Sequence, residues 1–445
     1  MSRTLARSLA AVLALSLVAA ACSGDDSASG GGATTTQAKK IDYTSVGLWD
    51  DGPCDATKPE LKIGLTTAFQ TQVISLEDQA KALEAAATAF NARGGANGGC
   101  IKVTTCDDGG TVDKAVACAK KMDTAGVVAT VNDQVTAGQA DVRKAEDTAG
   151  IPRVAGNVVP EDWDAPLNFP LDASGTGVTF LLPQALIDVG IKKIGIVRVD
   201  LAAASAIVSF LEGLYGPQGA TFPYAVPVPA GTTDYSQFIL GAKNAGVGGI
   251  DLALGEQEAL QVVKAGQQLK TDLVIGSSLG SFSHKSITDL GDFASQMAFL
   301  WSFMPPTFDL PVYDALRADL AASGQDALQP ANLKASPMRS WIGLYALLKV
   351  LRDAKVTTFS RATVTAALKG AHDVDMLGMF GDQKWTPDTS HQGLFKRAGI
   401  DGWVSWTWDP KADSPVGKGN WVKKSDISFD KTACGTVIGA PKDTC

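Results

Sequence analysis

Histidine is scarce in this sequence: 445 residues hold three, His284, His372 and His391. Zinc sites and most Ser/Cys triads draw on imidazole, and no HExxH pair occurs, so metal-dependent hydrolysis has little to work with. There is no P-loop and no complete GxGxxG fingerprint, so neither nucleotide hydrolysis nor a dinucleotide cofactor has an anchor, and no cofactor is expected. Basic charge is also in deficit. Lys+Arg number 39 against 47 Asp+Glu, a formal −8 that deepens to −10 if residues 1–21, with only Arg3 and Arg7, are removed. That balance argues against nucleic acid as a partner. Hydrophobic residues at 45% with charged ones at 19% give a globular composition, long enough for two or three domains.

The N-terminus has its own grammar. Arg3 and Arg7 precede the apolar run Leu9 to Ala21, too short to span a bilayer and suited to a signal peptide over residues 1–21. Small residues Val18-Ala19-Ala20-Ala21 stand directly before Cys22-Ser23-Gly24, which resembles the lipobox of bacterial lipoproteins, with Ala19 where Leu is more usual. The resemblance implies a lipid on Cys22 and residence on the extracytoplasmic face of the cell membrane. The other reading is ordinary secretory cleavage beside an incidental cysteine. Residues 22–40, rich in Gly, Ser and Thr, read as a flexible tether. No later stretch approaches 18 apolar residues, so nothing else is expected to cross a membrane.

With Cys22 set aside, Cys54, Cys100, Cys106, Cys118, Cys434 and Cys445 remain, an even set for an oxidising compartment. Fifteen connectivities are open. Loop length favours Cys106 with Cys118 and Cys434 with Cys445, leaving Cys54 for Cys100. A metal reading is weaker, since no CxxC pair occurs.

Hydrophobic periodicity predicts α/β architecture. Leu61 to Thr67, Ile101 to Thr105, Val127 to Val131 and Ile151 to Ala155 read as strands. Between them lie helices Leu76 to Asn91, one capped by Thr111, and Gly138 to Thr148. After the Pro/Gly-rich stretch Pro166 to Gly177 the pattern restarts with strands at Lys193 to Val199, Thr221 to Val228, Ile250 to Leu254 and Asp272 to Ile275. Its helices are Val178 to Val189, Ala203 to Leu214, Tyr235 to Ala245 and Glu256 to Leu269. Gln296 to Phe303 is a further strand, and two helices, Ser336 to Ala354 and Ser360 to Lys369, precede a Trp-rich β tail. Such alternation makes right-handed βαβ units and parallel sheets, hence two doubly wound, Rossmann-like halves.

Phe90-Asn91-Ala92-Arg93-Gly94-Gly95-Ala96-Asn97-Gly98-Gly99, followed by a strand ending in Cys106-Asp107-Asp108, resembles type I periplasmic binding proteins. The likeness is to the branched-chain (leucine/isoleucine/valine-binding) relatives that feed ABC transporters. Ala149-Gly150-Ile151-Pro152, Asn168-Phe169-Pro170 and the helix holding Ser340 to Leu348 extend it over about residues 60–410. The resemblance implies two lobes joined by three hinge crossings: residues 59–174 with 305–375, and 175–304 with 376–445. It implies a small-molecule ligand between the lobes, ABC permease subunits as partners, and a monomer.

Carried onto this sequence, the cleft positions are Phe69 and Gln70, then Asp133, Gln134 and Thr136, then Asn157, with Asp200, Glu256, Ser278 and Trp301 from the second lobe. Asp200-Leu201-Ala202-Ala203 lacks the Tyr and Gly of the usual Asp-x-Tyr-Gly turn, and Ser277-Ser278-Leu279 stands where amino-acid binders place an acid for the ammonium. The expected ligand class spans amino acids, amides and small carboxylates, and these departures favour a small carboxylate or amide, or a more apolar compound, over an α-amino acid. Each position also has a structural reading. Phe69 and Trp301 suit core or hinge packing, Thr136 a helix cap, Asp133 and Asp200 loop caps, and Glu256 a helix dipole. Trp403, Trp406 and Trp408 suggest either a carbohydrate surface or packing. Asp107, Asp108 and Asp113 suggest calcium or, more simply, the start of a helix.

Two rival functions remain. Gly276-Ser277-Ser278-Leu279-Gly280 is a GxSxG after a strand, as a hydrolase with Ser278 as nucleophile and His372 or His391 as base would require. It has no HGGG-type oxyanion loop upstream. The same two-lobed fold could also present ligand to a membrane receptor as a sensor.

Overall fold

The computed structural model describes residues 41–71, 75–156, 162, 165–200, 207–229, 231–278, 282–389, 397–400 and 402–423. Residues 1–40, with Cys22, and Asn157, His391, Cys434 and Cys445 lie outside the described residues.

Strand β1 (Leu61–Thr67) is buried along almost its whole length, as a strand with a neighbour on each side and helices on both faces must be. Helix α1 (Glu77–Ala92) follows, with Ala82, Leu83, Ala86 and Phe90 on its buried side. Then come β2 (Ile101–Asp107), α2 (Val112–Thr124), β3 (Ala129–Val131), α3 (Gln139–Ala149), β4 (Arg153–Val154) and β5 (Asn168–Phe169). These strands form one wholly parallel sheet in the order β2-β1-β3-β4-β5.

The second half runs α4 (Ser174–Asp188), β6 (Lys193–Val199), α5 (Ile207–Tyr215), β7 (Thr221–Val228), α6 (Ser236–Asn244) and β8 (Gly249–Ala253). It continues with α7 (Glu256–Gln268), β9 (Val274–Ser278), the short α8 (His284–Thr288) and β10 (Met297–Trp301). Its sheet is parallel from β7 through β6, β8 and β9 to β10. Pro223 and Pro227 place β7 at the edge, where missing N–H donors cost no ladder bonds.

After β10 the chain adds α9 (Pro311–Ala321), α10 (Ala335–Asp353) and α11 (Arg361–Gly370), with α9 and α10 packed on α1 and α11 on α10. It then returns to the second sheet as β11 (Gly402–Asp409), antiparallel to β10, followed by β12 (Ser414–Pro415) and β13 (Asn420–Lys423), both paired with β11. The connecting segments run side by side. Trp385 Nε1 donates to Pro170 O at 2.9 Å, Ile400 N to Leu171 O at 2.7 Å, and Met304 N to Met379 O at 2.7 Å.

The Asn-Ala-Arg-Gly-Gly run is a staple. Asn91 brackets β2, its Nδ2 donating to Ile101 O at 2.9 Å and its Oδ1 accepting from Ile101 N at 2.7 Å. Arg93 forks onto Asp319 of α9 at 2.8 and 2.7 Å, and Asn97 Nδ2 donates to Leu351 O and Val356 O beyond it. Gly95 sits at φ 52° with its Cα so close to Gly99 O that a Cβ would lie 2.2 Å from that oxygen, so only glycine fits. Trp49, Phe90, Trp341 and Tyr345 then stack in the seam between α1 and α10, with centroids 5.3–6.1 Å apart.

Three local readings need correction. Helix α9 lies outside the elements expected from periodicity; Pro311 occupies its first turn, where its missing N–H is harmless. Thr111 stands at the N-cap of α2 but its side chain makes no capping bond. Helix α4 begins at Ser174, four residues before the expected start, and carries Pro183 inside it. Two of the expected disulfides are formed, Cys54–Cys100 and Cys106–Cys118. Trp403, Trp406 and Trp408 are 0%, 5% and 2% exposed, and Trp406 stacks on Phe299 at 5.5 Å, so they fill the second sheet's core rather than offer a sugar platform.

Candidate functional site

In a parallel sheet every strand ends on the same edge, and the loops there collect the chemistry. On the first sheet that edge carries Phe69 and Gln70 after β1, Asp107 and Asp108 at the end of β2, and Asn132 to Thr136 after β3. Carboxylates lace these loops together. Asp107 Oδ1 accepts from Phe69 N and Gly109 N, each at 2.9 Å. Asp108, wholly buried, accepts from Thr136 N at 2.8 Å, Thr136 Oγ1 at 2.9 Å and Gly110 N at 2.9 Å. Asp133 Oδ1 accepts from Thr66 N at 2.7 Å. Gln134 Oε1 accepts from Gln79 Nε2 at 2.8 Å, and Ser340 of α10 closes the mesh, donating to Gln79 O and accepting from Asn132 Nδ2 at 2.8 Å each.

These bonds sort the expected residues. Thr136 gives both its N–H and its hydroxyl to Asp108, and since α3 begins at Gln139 with Gly138 before it, Thr136 caps no helix. Asp133 is buried, and burial pushes its carboxyl above the usual range against the pull of Arg143. Phe69 has its N–H committed and its ring half-buried, while Gln70 is exposed. Asp107 and Asp108, read from the sequence as a calcium site or the start of a helix, instead tie three loops together, and the Asp-Asp-Gly-Gly run after a strand is the available signal for it.

On the second sheet, Asp200 follows β6 and is exposed, Glu256 opens α7 directly after β8, and Ser278 ends β9 half-buried. Trp301 ends β10, buried, with its ring edge-on to Phe303 at 5.9 Å. Its Nε1 and the hydroxyl of the next residue, Ser302, are both buried without a hydrogen-bond partner. An orphaned buried donor costs about 1–3 kcal/mol, so two in succession at a strand's carboxyl end mark a place where an acceptor would be welcome. Ser302 was not foreseen.

The GxSxG run is described only as far as Ser278. His284 Nε2 lies 3.2 Å from Asp413 Oδ2 in an exposed pair, and His372 is exposed on a loop.

Two mostly parallel α/β sheets linked by three adjacent stretches of chain, with polar loops gathered at the strands' carboxyl ends, are the architecture of the type I periplasmic binding proteins. A sequence profile described as periplasmic binding protein matches residues 60–395, and the chain belongs to that family, the solute-binding proteins of ABC-transporter type. Among curated proteins none matches. Solved structures that it resembles include a fatty acid ABC transporter substrate-binding protein from Thermomonospora curvata (15% identity, TM-score 0.66, covering 88% of this chain and 98% of that one). Another is a solute-binding protein from Rhodopseudomonas palustris in complex with p-hydroxybenzoic acid (16%, 0.66, 82% and 97%). A third is a branched-chain amino acid ABC transporter protein from Thermus thermophilus with bound valine (13%, 0.65, 82% and 97%). At these identities the likeness shows the fold. The family and these neighbours are binding proteins rather than enzymes, and among the described residues no helix is long and apolar enough to cross a membrane.

Proposed function

We propose that this chain is a lipoprotein, anchored through Cys22 on the extracytoplasmic face, that captures a small carboxylic acid between two lobes and delivers it to an ABC importer. The lobes are residues 59–174 with 305–375, and 175–304 with 376–445. The observation that carries the capture role is the family match over residues 60–395. The carboxylate reading draws on the orphaned donors Trp301 Nε1 and Ser302 Oγ, which suit an anionic acceptor. It draws also on the chemistry common to the named relatives: fatty acid, p-hydroxybenzoic acid and valine all carry a carboxylate. Ser278 stands where an ammonium would need an acid, which favours an acid without an amino group.

Phe69, Gln70, Gln134 and Asn157 from the first lobe and Asp200, Glu256, Ser278, Trp301 and Ser302 from the second are the proposed contacts, with Asp133 and Thr136 holding the loops that present them. The test is thermal unfolding of residues 38–445, disulfides intact, against aromatic, short-chain and fatty acids, their amides, amino acids, sugars and nucleosides. Ligand at a hundred times its dissociation constant stabilises by about 2.7 kcal/mol, a shift of several degrees. Stabilisation by one class of simple acid or amide is expected; stabilisation by leucine or valine with no response to those compounds refutes the ligand assignment.

A further inference from the structure

Arg198 stands one residue from the end of β6, at the carboxyl edge of the second sheet. Its side chain is half-buried, and among the described residues it makes one hydrogen bond, Nη1 donating to Val199 O at 3.1 Å. No carboxylate among those residues pairs with it, Asp200 beyond the strand's end included. Every other arginine among them is ion-paired, from Arg93 with Asp319 to Arg397 with Asp388, each at 2.7 Å. A partly desolvated guanidinium without a counter-charge costs free energy, so a fold that pairs the others and leaves this one open keeps a place for an anion from outside.

One acid inside the lobe is placed to claim it and does not. Register sets Ile196 beside Asp251 of β8 and Arg198 beside Ala253, so by alternation Arg198 and Asp251 share a face, with Asp251 one pair deeper. Asp251 is wholly buried and neither of its oxygens accepts a hydrogen bond. Leu186 of α4 packs against Gly249 and Gly276 around it. Burial pushes this carboxyl well above the usual range, so it keeps a proton and offers no charge to draw the guanidinium inward.

We propose that Arg198 is the side chain of the second lobe that holds the carboxylate of the captured ligand. The proposal rests on the binding role proposed above and names the residue for the ligand's charged end. With Nη1 spent on Val199 O, Nε–H and Nη2–H remain on one edge of the planar group, and two parallel donors match the two oxygens of a carboxylate. Strands β8 and β9 separate β6 from β10, about 14 Å at ordinary strand spacing. Arg198 and the Trp301–Ser302 donors therefore hold different acceptors, and the charged donor takes the charged end.

The experiment uses the full chain, disulfides intact, with p-hydroxybenzoate, octanoate and valine as probes, each beside its amide. Phenylglyoxal labels guanidiniums and mass spectrometry maps them; thermal unfolding with each probe follows binding to the wild type, Arg198→Met and Arg198→Lys. Arg198 is expected to react ahead of the buried, paired Arg93 and Arg339, and one acid is expected to slow it where the amide does not. That acid's affinity should fall on the order of 10- to 100-fold in Arg198→Met, with the amide's little changed. Arg198→Lys should recover part of the loss, keeping the charge without the fork. The proposal is overturned if no acid protects Arg198, or if an acid binds Arg198→Met as tightly as the wild type. It is overturned also if ligand-free Arg198→Met is less stable than the wild type and Asp251→Asn removes that loss, which would assign Arg198 to Asp251. Should Arg198→Met fail to fold, protection in the wild type decides. An acid that stabilises the wild type without protecting Arg198 sinks this proposal and leaves the capture role standing; no stabilisation by any probe counts against both.

Discussion

Replacing Asp319 by alanine tests whether the Asn-Ala-Arg-Gly-Gly staple stabilises the first lobe as its geometry demands. Asp319 accepts from Arg93 Nη1 at 2.8 Å, Arg93 Nη2 at 2.7 Å, Trp341 Nε1 at 2.8 Å and Tyr43 OH at 3.2 Å. Both members of the ion pair are buried, Asp319 at 3% and Arg93 at 4% exposure. Truncation strands a guanidinium whose planar face is already covered by the Tyr43 ring at 4.0 Å, and it leaves the buried indole N–H without an acceptor. Removing one partner of a buried pair costs about 3–5 kcal/mol, and an orphaned N–H adds about 1–3. A surface groove of ≈ 580 Å³, lined by Tyr43, Lys81, Glu84, Arg93 and Asp319 among others, lets water approach, which places the expected loss near 4 kcal/mol. For a lobe of roughly 200 residues unfolding as a unit, that lowers the midpoint by about 10 °C. Arg93→Met/Asp319→Leu should recover most of the loss, because the double change removes the uncompensated charge rather than exposing it. Urea and thermal unfolding followed by circular dichroism measure both. A single variant costing less than about 1 kcal/mol, or a double variant no better than the single, refutes the reasoning.

Two further perturbations have defined outcomes. Gly343 of α10 lies where a Cβ would come within 2.7 Å of Ala155 Cβ and 3.1 Å of Val131 Cγ1, so Gly343→Val should destabilise by about 2–3 kcal/mol despite valine's better helix propensity, measured by urea midpoint. The Cys54–Cys100 bridge closes 46 residues and Cys106–Cys118 closes 12, so paired Cys→Ala changes should cost about 4 and about 3 kcal/mol respectively in unfolding experiments under non-reducing conditions; the reverse order would contradict the loop-entropy account.

The residues that made the family legible are scaffold residues. Asn91 holds β2, Arg93 holds α9, Asn97 holds the end of α10, and Gly95 admits the Gly99 carbonyl, so every one answers to a geometric demand set by the fold rather than by a ligand. Such demands produce fixed residue types at fixed spacing, which is why they can be read from a chain. Strands β1, β6 and β7 were legible to the residue because their apolar runs are bounded by turn residues. Helix α9 was not, although Val312, Ala315, Leu316 and Leu320 keep helical spacing and are buried, because Pro305, Pro306 and Pro311 crowd its start and only Pro311 falls in the first turn, where proline is tolerated.

The carboxyl edge of the first sheet was legible in outline and hidden in its bonding. That β1, β2 and β3 end together follows from parallel pairing, but that Asp107 would reach Phe69, Asp108 would reach Thr136 and Asp133 would reach Thr66 depends on register across 28 to 67 residues of sequence. Periodicity carries no register information between parallel strands, since their crossovers tolerate any length. The consequence is chemical. Backbone N–H groups at such an edge are the usual donors to an anion, yet here those of Thr66, Phe69 and Thr136 are already occupied by the protein's own carboxylates. A carboxylate ligand approaching the first lobe therefore meets side chains such as Gln70 and the Phe69 ring more than free amides. Buried donors without a partner nonetheless stand at strand ends of both sheets, the hydroxyls of Thr66 and Thr67 on β1 and Trp301 Nε1 with Ser302 Oγ at β10, so each sheet keeps side-chain donors that an anion can use.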